Sequence, residues 1–372
     1  MPRNLLLIGG GHSHVEVVRR WGLAPEPGVN VTLVSPDRYT PYSGMLPGYI
    51  AGHYGFDDCH IDLDALCAQA GVTRISTSAG KIDFAARIAH CGELPDQPFD
   101  ILSIDTGSTP LLTNVPGADR YGIAVKPVAQ FLEHWAHLRE AAQTAPRPLH
   151  VILVGAGAAG VEVILAMKYR IDSDKGHAVF TLIGDGPSIL GAHPRGVQQR
   201  FMSILQDQQI AVRLDTAVER VSAGTLFLRG GETLAFDEVV WVTGAAAPAW
   251  PRASGLQTDT AGFIAVDKHL QSLSHPGVFA AGDIASMIDA PRPKSGVYAV
   301  RQGPPLAENL RQALRGETLL EYHPQARALA LISAGERYAV ASYRPLALSG
   351  AWVWHWKNRI DNAFMRRYRV AG

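Results

Sequence analysis

Leu5-Leu6-Leu7-Ile8-Gly9-Gly10-Gly11-His12-Ser13-His14 sets four apolar residues directly before a glycine-rich turn. Val151-Ile152-Leu153-Val154-Gly155-Ala156-Gly157-Ala158-Ala159-Gly160 does the same 146 positions later. A buried strand running through a tight glycine turn into a helix is the arrangement that receives a pyrophosphate. Glycines let the backbone approach the phosphates, and the helix N-terminus offers free N–H donors and partial positive charge. One such turn is a weak signal. Two predict two dinucleotides and an enzyme that moves electrons between them.

Around the first turn the pattern predicts a strand over 4–8, a helix over 14–21 and a strand over 29–34 that ends at Ser35. That is a βαβ unit of about thirty residues. Residues 36–54, rich in Pro, Gly and Tyr, are expected as a loop, of a length that is commonly functional. A strand over 99–104 closes in Asp105-Thr106-Gly107-Ser108-Thr109-Pro110, and one over 239–242 closes in Thr243-Gly244-Ala245. Thr-Gly at like distances after each glycine turn reads as an internal duplication. Thr144-Ala145-Pro146-Arg147-Pro148 marks a boundary before the second unit, which continues with a helix to about Arg170 and a strand over 178–183. Pro276-Gly277-Val278-Phe279-Ala280-Ala281-Gly282-Asp283 adds a short apolar strand ending in Gly-Asp.

Composition narrows the class. The 372 residues suit two or three domains, and 47% hydrophobic with 18% charged residues suits a large core. Thirty-four basic residues balance 34 acidic ones, so global charge gives no reason to expect nucleic acid. Cys59, Cys67 and Cys91 form no CxxC, and an odd, sparse set predicts reduced thiols and a cytoplasmic location. The four-residue apolar run at the N-terminus is too short for a signal peptide, and the weakly charged stretch 151–167 falls short of the ~20 residues a membrane span needs.

The ordered motifs GGGHSH, DTGSTP, VGAGAAG, VTGAAAP and AAGDIA resemble the two-dinucleotide flavoproteins of the pyridine nucleotide–disulfide oxidoreductase family, over about residues 4–318. RYTPYSGMLPGYIAGHY and KSGVYAVRQGPPLAENL resemble the branch related to type II NADH dehydrogenases. Within it they are similar to flavoproteins fused to selenophosphate synthetase and to demethylphylloquinone reductases. WVWHWKNRIDNAFMRRY matches the former group, and with the sequence running to Gly372 no attached synthetase domain is expected. The resemblance implies an α/β fold of two Rossmann-like, three-layer domains. These would be an FAD domain from 1–112 and 245–318 and an NAD(P)H domain over 113–244, followed by a C-terminal unit over 319–372.

Carried onto this chain, the resemblance places FAD at Gly9, Gly11, His12, Ser13, Thr106, Gly107, Gly282 and Asp283, the last accepting hydrogen bonds from the ribitol. His14 holds the place of the third fingerprint glycine, which implies a displaced helix or a side chain pointing outward. Ser35 stands where an acidic residue normally holds the ribose, with Asp37 and Arg38 nearby. His12 and His14 have no acidic or thiol neighbour in sequence, so no metal is expected. NADH or NADPH is placed at Gly155, Gly157, Gly160 and Gly244. Asp185, one residue late for the ribose position, favours NADH, while Arg195 and Arg200 downstream would favour NADPH.

The disulfide reductases of this fold carry two cysteines after the first βαβ unit. Here Ser43-Gly44-Met45-Leu46-Pro47-Gly48 stands there, and Cys59 and Cys67 read as small buried helix residues. With no dithiol, electrons must leave to an outside acceptor, and the resemblance implies a quinone-like one. Lys294 and a helix N-terminus would stabilise the reduced flavin, Gln302 matches a glutamine of the quinone pocket, and Glu162 one near the nicotinamide. Lys294, Glu162 and Tyr42 are candidate proton donors. Two alternatives stand beside this reading: a reductase of selenium or sulfur compounds, and a flavin-bearing redox sensor without turnover. In the tail, Trp352, Trp356, Ile360, Phe364 and Tyr368 are each four apart, with five Lys or Arg and one Asp between Trp352 and the end. Such a face suits a membrane surface on which the protein would be peripheral, or packing on the flavin domain or in a homodimer.

Overall fold

The computed structural model describes residues 2–112, 115–326, 328–343 and 346–369. Two five-stranded parallel sheets form its centre. In the first, the order is Val278–Ala280, Ile101–Ile104, Arg3–Ile8, Val29–Val34 and Thr73–Ile75. In the second it is Ile123–Ala124, Glu238–Trp241, Leu149–Val154, Ala178–Ile183 and Ala211–Arg213. The strand carrying each glycine turn is central and has the strand before Thr-Gly on one side, so four strands of each sheet follow one order; the outer strand beside them comes last along the chain in the first sheet (Val278–Ala280) and first in the second (Ile123–Ala124). The four residues before each turn are buried, as expected of parallel strands covered on both faces. Thr109–Pro110 and Ala245–Ala246, just beyond the two Thr-Gly pairs, hydrogen-bond to each other antiparallel and tie the halves together. The expected domain boundary at 112/113 falls against residues 113–114, outside the described residues.

Three corrections concern element bounds. The helix after the first turn runs His12–Leu23, beginning before the predicted 14–21. Residues 36–54 are not a plain loop: Tyr39–Pro41 pairs with His60–Asp62, and Leu46–Ile50 is a helix with buried Leu46 and Ile50. Pro47 disguised that helix, yet a proline in the first helical turn costs no hydrogen bond. The tail helix is Ala351–Met365, so Tyr368 lies beyond it.

The C-terminal unit is an antiparallel sheet, Ala330–Ala334, Glu336–Tyr343 and Leu346–Gly350, covered by helix Ala351–Met365. Ala339 and Ala341 on the middle strand leave room for Val353 and Trp354. Trp352, Trp356 and Ile360 are exposed, whereas Phe364 and Tyr368 are buried. The apolar stripe is therefore divided, its first half open and its second packed. Phe364 stacks on Tyr42 with ring centroids 4.4 Å apart, and the Tyr368 hydroxyl donates to Glu16 Oε2 at 2.9 Å.

Candidate functional site

Both glycine turns open into one continuous cleft of about 2110 Å³, roughly twice the upper range of a single-ligand pocket. Gly9, Gly11, His12, Ser35, Thr106, Gly107 and Asp283 line it from the first half, and Gly155, Gly157, Gly160, Glu162, Asp185 and Gly244 from the second. Lys294 lines it as well, while Ser13, Arg38, Gln302, Arg195 and Arg200 do not. Arg38 is exposed and paired with Asp62 at 2.7 Å.

The first turn is built around Asp105, which ends strand Ile101–Ile104. Its Oδ2 accepts the Ser13 N–H at 2.9 Å and the His14 N–H at 3.1 Å. A side chain at Gly11 or Gly282 would put Cβ 2.3 or 2.2 Å from this carboxyl, and one at Gly9 would come 2.4 Å from the Asp105 carbonyl oxygen. Burial pushes the Asp105 carboxyl up to about 7. The Gly10 and His12 N–H groups find no acceptor among the described residues, which leaves a two-amide cradle for a phosphate.

Of the two alternatives expected at His14, a displaced helix or an outward side chain, the structure excludes the second. The side chain is fully buried, with Nδ1 2.7 Å from the Gly9 carbonyl and Nε2 2.8 Å from Ser103 Oγ. A carbonyl can only accept, so Nδ1 carries the proton and the Ser103 hydroxyl donates to Nε2. Burial pushes His14 down to about 4, consistent with a neutral ring. Close helix–strand packing is replaced here by a hydrogen-bonded wedge. His12 is pushed down to about 4 by the same cause, and its Nε2 is buried without a partner among the described residues, beside Tyr42 and Phe364.

The second turn keeps the full fingerprint. A Cβ at Gly160 would lie 1.8 Å from the Gly155 carbonyl oxygen, so only glycine lets helix Ala158–Ser173 sit this close. A Cβ at Gly157 would meet nothing within 4 Å and would project into the open cleft. Asp185 follows strand Ala178–Ile183 and borders the cleft.

Where the halves face each other, Asp283 Oδ2 lies 3.0 Å from Lys126 Nζ and accepts from Ser108 Oγ at 3.3 Å. Lys126 was not singled out in the sequence, because nothing local marks it. Gln302 is buried, and its Oε1 accepts the Gly282 N–H at 2.7 Å, which holds the Gly-Asp turn. Lys294 donates to the Ala285 carbonyl and lies 4.0 Å from the Phe263 ring, and burial lowers its pKa.

The far end of the cleft is lined by Tyr42, Lys357, Ile360, Asp361 and Phe364. Lys357 pairs with buried Asp361 at 2.7 Å and donates to the Gly44 carbonyl, and Tyr42 donates to Asp361 Oδ1 at 3.3 Å. Glu162 Oε1 accepts both the N–H and the hydroxyl of Ser333 at 2.8 Å. Burial raises the Glu162 pKa, against the pull of the Lys357 charge. The Lys357–Asp361 pair was visible in sequence only as an i,i+4 spacing, which usually marks a solvated face. Cys59, Cys67 and Cys91 are buried, unpaired, and absent from the cleft lining. Burial pushes the Cys59 and Cys67 thiols up to about 12, far from a reactive thiolate.

Residues 3–303 match the family described as pyridine nucleotide-disulphide oxidoreductase. The chain is 28% identical over 260 residues to the demethylphylloquinone reductase NdbB of Synechocystis, which covers 68% of this chain and 63% of that protein. It is 21% identical over 349 residues to the type II NADH:quinone oxidoreductase of Staphylococcus aureus, covering 86% and 85%. Among solved structures, NDH2 from Plasmodium falciparum in complex with NADH superposes with a TM-score of 0.82 at 14% identity, over 98% of this chain and 97% of that one.

Proposed function

This chain belongs to the pyridine nucleotide-disulphide oxidoreductase family, and from that membership we propose an FAD-dependent NAD(P)H dehydrogenase that passes electrons to a quinone-like acceptor with no thiol between. One observation carries the reading. A single cleft runs from the second glycine turn, past the first, to Tyr42, Lys357 and Asp361, and no cysteine lines it.

The residues fit both dinucleotides. The cradles at Gly10–His12 and at Gly157 are open, and filling them with side chains would block the phosphates. Bound FAD supplies the chemistry, accepting hydride from the nicotinamide and yielding electrons to the acceptor. The protein's own part is positioning, exclusion of water and proton supply. Asp283 holds the ribityl side, and Lys294 places positive charge near the flavin. Glu162, kept protonated more readily by burial, stands on the nicotinamide side. Lys357, braced by Asp361 and Gly44, is the cation at the acceptor end, with the Tyr42 hydroxyl beside it. Asp185 puts negative charge at the nicotinamide adenosine, which opposes a 2′-phosphate and favours NADH.

Access for a lipid-soluble acceptor is provided by exposed Trp352, Trp356 and Ile360, continuous with the cleft at Ile360 and flanked by exposed Arg359, Arg366 and Arg367. Apolar and basic residues on this helix and the turn that follows it suit an anionic bilayer surface. No helix among the described residues is long and apolar enough to cross a membrane.

Anaerobic stopped-flow tests the reading. The bound flavin should be reduced by NADH and reoxidised by a menaquinone or ubiquinone analogue. Flavin that quinones leave reduced, but polysulfide or selenite reoxidises, would replace this reading with the sulfur or selenium one.

A further inference from the structure

Glu162 stands in the second turn of helix Ala158–Ser173 and lines the cleft. Ser333 reaches it from the C-terminal unit. Strand Ala330–Ala334 is at the edge of its sheet, and its register with Glu336–Tyr343 slips between Ser333 and Ala334. Such a slip turns backbone groups away from the ladder. The Ser333 N–H donates to Glu162 Oε1 instead, and the Ser333 hydroxyl donates to the same oxygen, both at 2.8 Å. Gly335 makes the approach possible. Its φ is +85°, and a Cβ there would lie 2.4 Å from the Leu165 carbonyl oxygen, so only glycine lets this turn press against the helix.

The two oxygens of the Glu162 carboxyl are therefore unlike. A backbone N–H can only donate, so Oε1 is held as an acceptor. Oε2 has no partner among the described residues and is not sealed from the cleft. A proton on Glu162 thus sits on Oε2. Two charges bear on this carboxyl: Lys357 favours its ionised form and Asp361 opposes it, and those two are themselves paired at 2.7 Å. We propose that Ser333 is a positioning residue, which locks Glu162 through Oε1 so that Oε2 presents the proton to the cleft. The use of that proton rests on the quinone reading above. Reducing a quinone to its quinol takes two electrons and two protons. NADH supplies both electrons and one proton as hydride. Glu162 Oε2 passes on the second proton, and the carboxylate then takes one from water. The residue that assigns this proton belongs to the C-terminal unit, outside both dinucleotide-binding halves.

Carbon NMR of the holoprotein, isotopically labelled at its glutamate carboxyls, reads the group without turnover; the Glu162 signal is the one missing from Glu162→Gln. Burial holds this carboxyl above the ordinary glutamate range, and the Ser333 hydroxyl, which favours the ionised form, holds it back. Ser333→Ala should therefore raise the titration midpoint by about one pH unit, the worth of a hydrogen bond to a charged group. Ser333→Thr, which keeps the hydroxyl, should stay near the parent value. In stopped-flow, the pH profile of flavin reoxidation by a quinone analogue should move upward with the midpoint in Ser333→Ala, while flavin reduction by NADH keeps its profile. A midpoint unmoved in Ser333→Ala, or moved as far in Ser333→Thr, would overturn the proposal. So would a moved midpoint beside an unmoved reoxidation profile. A moved midpoint in a protein whose reduced flavin no quinone reoxidises would uphold the role of Ser333 and remove the quinone reading instead.

Discussion

His14 shows how a departure from a fingerprint can be a substitution of mechanism rather than a loss. A glycine there would serve close packing, whereas the imidazole bonds Gly9 and Ser103 and stays neutral. A histidine held from its ordinary 6.5 down to about 4 stabilises the fold fully above 6.5, and that stability is lost as pH falls through about 4. The full loss is roughly 3 kcal/mol. Asp105, raised to about 7, acts in the opposite sense, losing stability as pH rises toward that value. The difference between parent and His14→Gln therefore isolates the histidine: between pH 6.5 and 4 the parent's melting temperature should fall further than the variant's. At the cleft, Asp185→Ser should shift the NADH to NADPH preference toward NADPH by about tenfold or more, through loss of like-charge repulsion, measured as the ratio of kcat/KM values. Lys357→Met should slow flavin reoxidation by quinone about tenfold to a hundredfold in stopped-flow. The glycines, Asp185 and Asp283 were legible in sequence because their spacing from a strand carries the chemistry. Asp105, Lys126 and Asp361 were not, because each has a partner lying from 18 to 319 residues away in the chain.

The tail helix carries an element-scale lesson. Its four-residue spacing was plain, and the structure divides the stripe into a packed half and an exposed half. Phe364 meets Tyr42, so its end is packed; Trp352, Trp356 and Ile360 meet nothing that buries them. Periodicity gives a face but not the length of its partner. Trp352→Ser with Trp356→Ser should reduce sedimentation with anionic vesicles by most of its parent value, while water-soluble quinone turnover stays near parent level. Unchanged sedimentation would return the helix to a contact between protein chains. The segment 36–54 misled in the other direction, since Pro47 and the glycines mask a short helix whose Leu46 and Ile50 enter the core of the second half.

At the scale of the molecule, duplication explains most of the fold. Two sheets that share the order of four strands, joined by the pairing of Thr109–Pro110 with Ala245–Ala246, set two glycine turns against a common space. The duplication and its two turns followed from two apolar runs and two Thr-Gly pairs, whereas the pairing between the halves was not expected. The cleft's continuation to Lys357 and Asp361 did not follow either, because it is made where the C-terminal helix folds back on residues 42–44.

Direct passage of electrons between the two sites, with no thiol store, is measured most simply by anaerobic titration of the holoprotein with NADH. Flavin reduction complete at one equivalent per FAD, with one equivalent of quinol recovered on adding a quinone analogue, is the expected result. Uptake of a second equivalent before the flavin is fully reduced would mean that another redox group lies in the path, and would contradict it.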